Sequence, residues 1–257
     1  MAGETPAGSC RRAYTALATA RDRLSRRRAA GRAAAQAAAD AALRGAAAAA
    51  GEVPPLGVLL EGAGGGGALL EAMSRKLQAR GEAACDRADE LLGEMEEDIR
   101  AAAEAADALA RVLGLGADGC PESATAEEAA GRPLFACLPR KLLLLSAREG
   151  VELLEAELRN KRGAMDALRT ASDALHAGRA WPPLPGDDRG FARYHGHMAE
   201  GVAAGVGSQT VDAANVDVRD RLTLLVAAWV TDAHLNTRRL EDILRDADTD
   251  MRAAVIH

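Results

Sequence analysis

Aromatic residues are nearly missing from this chain of 257 residues: two Phe, two Trp and two Tyr, 2% of the total. β-Sandwiches and barrels draw on aromatic and β-branched strand residues, and few runs here offer them. No apolar run approaches the roughly 18–20 residues needed to span a membrane; the longest run of large apolar residues is Leu142 to Leu145. An excess of positive charge is also lacking. The balance of 38 acids against 32 bases gives −6, which excludes a globally basic nucleic-acid binder. The four cysteines (Cys10, Cys85, Cys120, Cys137) are widely spaced with no CxxC. That spacing fits reduced thiols in an intracellular protein better than a disulfide framework or a zinc site. What is present in quantity is alanine, a strong helix former that buries little area. Composition therefore predicts an all-α protein.

The first fifty residues form a zone of their own, with nine Arg, no Lys and three acids (Glu4, Asp22, Asp40). Three readings stand side by side. An Arg- and Ala-rich, acid-poor N-terminus has the composition of an organelle transit peptide. Arg11–Arg12 and the triplet Arg26 to Arg28 have the character of a nuclear import signal. Tyr14, Leu17 and Leu24, spaced by three and seven, put apolar residues on one face of an N-terminal helix. The organelle reading predicts a trimmed N-terminus, with cleavage before about residue 50.

Residues 51–67 read as a linker, with Pro54–Pro55 and the run Gly64 to Gly67. A helical domain over 68–257 follows. Leu70, Met73, Leu77, Ala84, Ala88, Leu91, Met95, Ile99, Ala102, Ala106, Leu109 and Leu113 step by three, four and seven. The implied helix would run about 70 Å. From Glu82 to Asp107 it carries ten acids and two bases, a pattern that predicts a solvated face. Gly114, Gly116, Gly119 and Pro121 then break helicity. The segment Arg132-Pro-Leu-Phe-Ala-Cys-Leu-Pro139 has the look of an extended strap tucked against helices. Pro139 suits the first turn of a second long helix, in which Leu144, Ala147, Val151, Leu154, Leu158, Met165, Leu168 and Leu175 form the apolar stripe. Two such helices predict a long antiparallel coiled-coil-like hairpin. Proline and glycine mark a flexible insertion at about 178–218, and a short C-terminal helix pair closes the chain. Leu222, Leu225, Val226 and Trp229 define the first of the pair; Leu240, Ile243, Leu244, Ala247 and Met251 define the second.

Catalytic motifs fail on context. GxGxxG occurs at Gly62–Gly67 and at Gly114–Gly119, but neither copy has the strand, turn and helix N-terminus that a dinucleotide needs. There is no P-loop and no GxSxG elbow. His195 and His197, near Glu200 and Asp187–Asp188, sit between two loop-like stretches, whereas zinc wants three or four rigidly held ligands. No catalytic residue, metal site or cofactor is nominated. Short recognition patterns do occur. Arg179 to Pro185 spells RxxPxxP, a polyproline ligand pattern. Arg132 to Phe135 spells RxLF, in which Arg pairs with acids and Leu-Phe fills an apolar pocket. Thr5–Pro6 offers a proline-directed phosphorylation site.

At the strap and the C-terminus the chain resembles the cyclin-dependent kinase 2-interacting protein family. The resemblance rests on Arg132-Pro-Leu-Phe135 running to Pro139 and on the helix carrying Val151-Glu-Leu-Leu-Glu-Ala-Glu-Leu-Arg-Asn-Lys161. It continues through Leu222-Thr-Leu224, Trp229-Val230, Arg239-Leu240-Glu241 and Ile243-Leu244. Tyr14 stands where the family has tryptophans near the N-terminus. Ala233 and His234 replace its Pro and aromatic residue, and Arg179 to Arg219 forms an insertion. The resemblance implies a nuclear, non-catalytic adaptor. Its partners would be cell-cycle and checkpoint kinases and subunits of an AAA-type ATPase assembly, in DNA replication, the DNA damage response and ribosome maturation. The candidates for partner contact are Arg132, Leu134, Phe135, Leu138 and Trp229, and Leu134, Phe135, Leu138 and Trp229 suit core packing equally well. No direct nucleic acid and no membrane is expected, and the long helices allow a homo-oligomer. The rival reading is a structural coiled-coil subunit of a tethering or cytoskeletal complex.

Overall fold

The computed structural model describes residues 5–49, 66–116, 118–176, 220, 222–227, 229 and 235–254. Residues 51–65 of the expected linker and the whole expected insertion, with His195, His197 and the RxxPxxP pattern, lie outside them; the last two linker residues, Gly66 and Gly67, instead open a helix. The described residues hold α1 (Pro6–Ala49), α2 (Gly66–Leu113), α3 (Ala124–Ala130), α4 (Arg140–His176) and α5 (Thr237–Ala253). A further helical stretch occupies 222–227. Among the described residues there is no strand, only two isolated bridges, Leu115 to Pro121 and Pro133 to Pro139. The all-α expectation holds. No described helix is long and apolar enough to cross a membrane.

Local chemistry places the ends. Thr5 Oγ1 accepts from the Gly8 N–H at 3.2 Å, and Pro6 takes the first helical position, where its missing N–H costs nothing. At the far end of α2, Gly114 adopts φ +67°. Its N–H bonds the Arg111 carbonyl while that of Leu115 reaches back to Ala110, closing the helix with a glycine in the left-handed region. The second GxGxxG is thus a helix stop followed by a turn. Ser123 caps α3 through Ala126 N–H, and Asn236 caps α5 through Arg239 N–H.

The chain divides into two compact units. The first comprises the described residues of Met1–Gly31, Asp89–Arg162 and Val230–His257; the second comprises those of Arg32–Ala88 and Gly163–Trp229. In the first unit α1 and α2 run antiparallel, because Arg23 meets Asp98 while Arg27 reaches back to Glu94. Arg148 with Asp107 and Arg162 with Glu96 set α4 antiparallel to α2. The Tyr14 hydroxyl donates to the Leu143 carbonyl at 2.8 Å, and Leu17 packs on Gly150. A Cβ on Gly150 would lie 2.6 Å from Leu17 Cδ2, so glycine is what lets α1 and α4 close here. Leu24, Met95, Leu109, Leu143, Leu144 and Leu154 fill the space between. α5 is clipped on by Arg239, which makes two 2.6 Å bonds to the Glu149 carboxylate and holds its pKa below the ordinary value.

The acidic run of α2 is therefore more than a solvated face. Asp98, with 11% of its side chain exposed, serves both Arg23 and Arg27. Exposed pairs contribute about 0–1 kcal/mol each. Their larger consequence is register, since α1 supplies bases where α2 supplies acids.

In the second unit alanine dominates. Ala34, Ala35, Ala38, Ala41 and Ala42 are buried along α1. A Cβ on Gly81 would sit 3.3 Å from Ala41 Cβ, so glycine and alanine let α1 and α2 come close. Met165, Leu168, Leu222 and Trp229 supply the bulk.

Two breaks in the apolar stripes are filled by unexpected residues. Between Leu77 and Ala84 the missing step is Gly81, at this close approach. Between Leu158 and Met165 it is Lys161, fully buried, whose Nζ lies 2.7 Å from Glu157 Oε1, also fully buried. A buried pair stabilises little in net, but removing one partner strands a charge. Lys161→Ala is expected to cost about 3–5 kcal/mol in urea unfolding, whereas the double change Glu157→Leu with Lys161→Met leaves stability equal or higher. A small cost for the single change would mean that water reaches the pair.

Candidate functional site

The strap is a closed loop in the first unit. Gly131 ends α3, and Arg132 N–H bonds the Ala129 carbonyl at 3.1 Å. Pro133 and Pro139 face one another in an antiparallel bridge. Inside it the Leu134 N–H bonds the Leu138 carbonyl at 3.3 Å; at its base the Arg140 N–H bonds the Arg132 carbonyl at 3.2 Å. The two prolines stand where no N–H is needed, which is why the loop can begin and end on them.

One carboxylate holds this loop. Asp250 Oδ1 accepts from the backbone N–H groups of both Cys137, at 2.6 Å, and Leu138, at 3.1 Å. Asp250 is buried in the last turn of α5. There an acid opposes the helix dipole. Two charge-assisted bonds to the strap offset that disadvantage. The same carboxylate accepts from the Cys137 thiol, which pushes the thiol pKa up. On α1, Cys10 is fully buried within reach of the Asp250 charge. Burial, and then the charge of Asp250, push its thiol up to about 12. Tyr14 is raised too, by burial and then by Cys10. From α1, the Arg11 guanidinium lies 5.6 Å from the centroid of the Phe135 ring, a cation–π contact on an otherwise half-open aromatic.

The residues predicted to bind partners divide. Leu134, Phe135 and Leu138 are half-buried on the strap. Arg132 is exposed and paired with Glu128 one turn back in α3. The RxLF pattern therefore lies in one loop with its arginine engaged by an exposed, easily broken pair. Trp229 belongs to the second unit, where its side chain is fully buried. Sequence reasoning missed Asp250, Cys10 and Arg11. The one local signal for Asp250 was an acid on the apolar stripe of α5, one position before Met251 and three after Ala247.

Among the described residues no group of three or more His, Cys, Asp or Glu is placed to hold a metal ion. Both strap-side thiols are raised rather than activated. The arrangement can present Leu134 and Phe135 in a fixed geometry. No protein family, no curated protein and no solved structure matches the chain.

Asp250→Asn removes the negative charge that raises the Cys137 thiol. Its alkylation at neutral pH is expected to become faster, and the Cys137 and Leu138 amides to exchange faster with deuterium. Cys10, fully buried on α1, should stay unreactive in the folded protein. Unchanged Cys137 kinetics would show that the carboxylate does not govern the strap.

Proposed function

We propose that this chain is a non-catalytic adaptor that binds partner proteins through the strap, as its resemblance to the cyclin-dependent kinase 2-interacting protein family implies. The observation that carries this reading is the strap itself. Leu134 and Phe135 are half-exposed on a loop closed by the Pro133–Pro139 bridge and pinned by Asp250 and Arg11. A pre-ordered loop loses little conformational entropy on binding, so its few apolar side chains can carry most of the affinity. Arg132 adds a guanidinium that an acidic partner can take from Glu128. On this reading the partners are a cell-cycle kinase and AAA-type ATPase subunits, the setting is the nucleus, and the roles are genome maintenance and ribosome maturation. The antiparallel pairing of α2 and α4 would then act as a long coiled-coil-like hairpin that carries the strap, with a C-terminal helix pair completing the scaffold.

The second reading, a structural coiled-coil subunit, draws on helix length: α1, α2 and α4 run to 44, 48 and 37 residues. Such lengths suit lateral association with other long helices.

Affinity purification from a C-terminal tag at native expression, followed by mass spectrometry, separates the two. The adaptor reading expects cell-cycle kinases or ATPase subunits, weakened roughly thirty-fold by Phe135→Ala (about 2 kcal/mol) with no change in thermal unfolding. Recovery of tethering or cytoskeletal proteins indifferent to Phe135 would favour the structural reading, and organelle proteins with a trimmed N-terminus would overturn both.

A further inference from the structure

Among the described residues, polar ties join α5 to the rest of the first unit at its two ends. In the first turn Arg239 makes two 2.6 Å bonds to the Glu149 carboxylate of α4. In the last turn Asp250 Oδ1 accepts the Cys137 and Leu138 N–H groups of the strap. About 16 Å of helix separates the two ties. Between them Leu240, Ile243 and Ala247 are buried, and Leu240 meets Gly150 beside Leu17. The helix meets its other needs internally. Asn236 Oδ1 accepts from the Arg239 N–H, and the Ala254 N–H bonds the Asp250 carbonyl at 3.3 Å. Arg245 pairs with Asp242, and Arg252 with Asp248. A helix capped at both ends and paired within itself can lift as one piece.

The strap end of this arrangement depends on α5 staying down. Asp250 is only 2% exposed, and its charge opposes the dipole of its own helix. Such a carboxylate stays buried because the two strap amides replace the water it has lost. The dependence runs the other way as well. The loop closes its base with its own bonds, Leu134 to Leu138 and Arg140 to Arg132, whereas Cys137 and Leu138 donate to Asp250. When α5 lifts, the carboxylate passes into water and residues 137–138 lose their acceptor, while the base of the loop remains closed.

We propose that α5 is a detachable latch for the strap: docked, it fixes Cys137 and Leu138 and so presents Leu134 and Phe135; lifted, it lets the strap lose that geometry. A loop ordered in advance binds better because its ordering cost is already met. Release of α5 therefore weakens binding at the strap, and by linkage a partner bound there holds α5 down. Whatever loosens the Arg239 end of α5 thus reaches the strap at the other end of the helix. The regulatory meaning rests on the reading of the strap as a partner site; the coupling between helix and strap does not.

Residue-resolved hydrogen exchange on the full chain tests the coupling. Arg239→Glu sets two carboxylates face to face at the end of α5 remote from the strap. The N–H groups of Cys137 and Leu138 and those of Ile243 and Ala247 should then exchange faster by one common factor, at least about three-fold, as one cooperative opening requires. Adding Glu149→Arg restores the pair with its charges exchanged and should return all four to the original rates. Leu240→Ala, which removes a buried contact and no charge, should act in the same direction. Alkylation gives a second readout: Cys137 should react faster in both single variants, whereas exposed Cys120, whose thiol answers to Asp118, should not change. Faster exchange in α5 with unchanged strap amides would overturn the proposal, as would α5 amides that neither variant speeds. An equal rise at Met95 and Leu109 of α2 would make the opening global and overturn it too. If helix and strap open together but Arg239→Glu recovers the same proteins from a tagged chain, the coupling stands and the strap is not the contact surface.

Discussion

A core built largely of alanine excludes water only if its helices run close together, and much of this structure follows from that requirement. Alanine adds little buried area per residue, so stability must come from length and proximity rather than from bulky anchors. In the second unit Ala38 and Ala41 meet Gly81 where any larger residue would hold the helices apart. In the first unit Gly150 admits Leu17 in the same way. The scarcity of aromatic residues is the composition that such close approach demands.

Smooth alanine faces specify register poorly, because one step of the helix looks much like the next. Charge supplies what shape does not. Arg23 and Arg27 of α1 and Arg148 and Arg162 of α4 all engage acids of α2 within the first unit. The buried Lys161–Glu157 pair is made within α4, four residues apart, so it stays matched whatever the register between helices. This protein uses polar groups to choose among packings that its apolar groups would tolerate almost equally.

The strap extends the same logic from helix to loop. Its two prolines cannot contribute hydrogen bonds from nitrogen, so the remaining donors must find acceptors elsewhere. Two of them converge on Asp250, and the loop is thereby tied to α5. The outcome is a surface in which half-exposed Leu134 and Phe135 are held rather than hidden.

Much of this was legible in the residues read one after another. Steps of three and four announced the long helices, and Gly114 and Pro139 marked where one stops and the next starts, because helix formation and termination are local. The gaps at Gly81 and Lys161 were visible as gaps, but not their contents' purpose. The half-buried strap could be suspected from its prolines and apolar residues. What holds it could not, because Asp250 and Cys137 are 113 residues apart and nothing in either neighbourhood names the other. Likewise the acids of α2 read as solvated until α1 and α4 brought arginines to them. Local spacing determines which residues share a helix face; which face meets which, and therefore which charge is matched, is decided only when the chain folds back on itself.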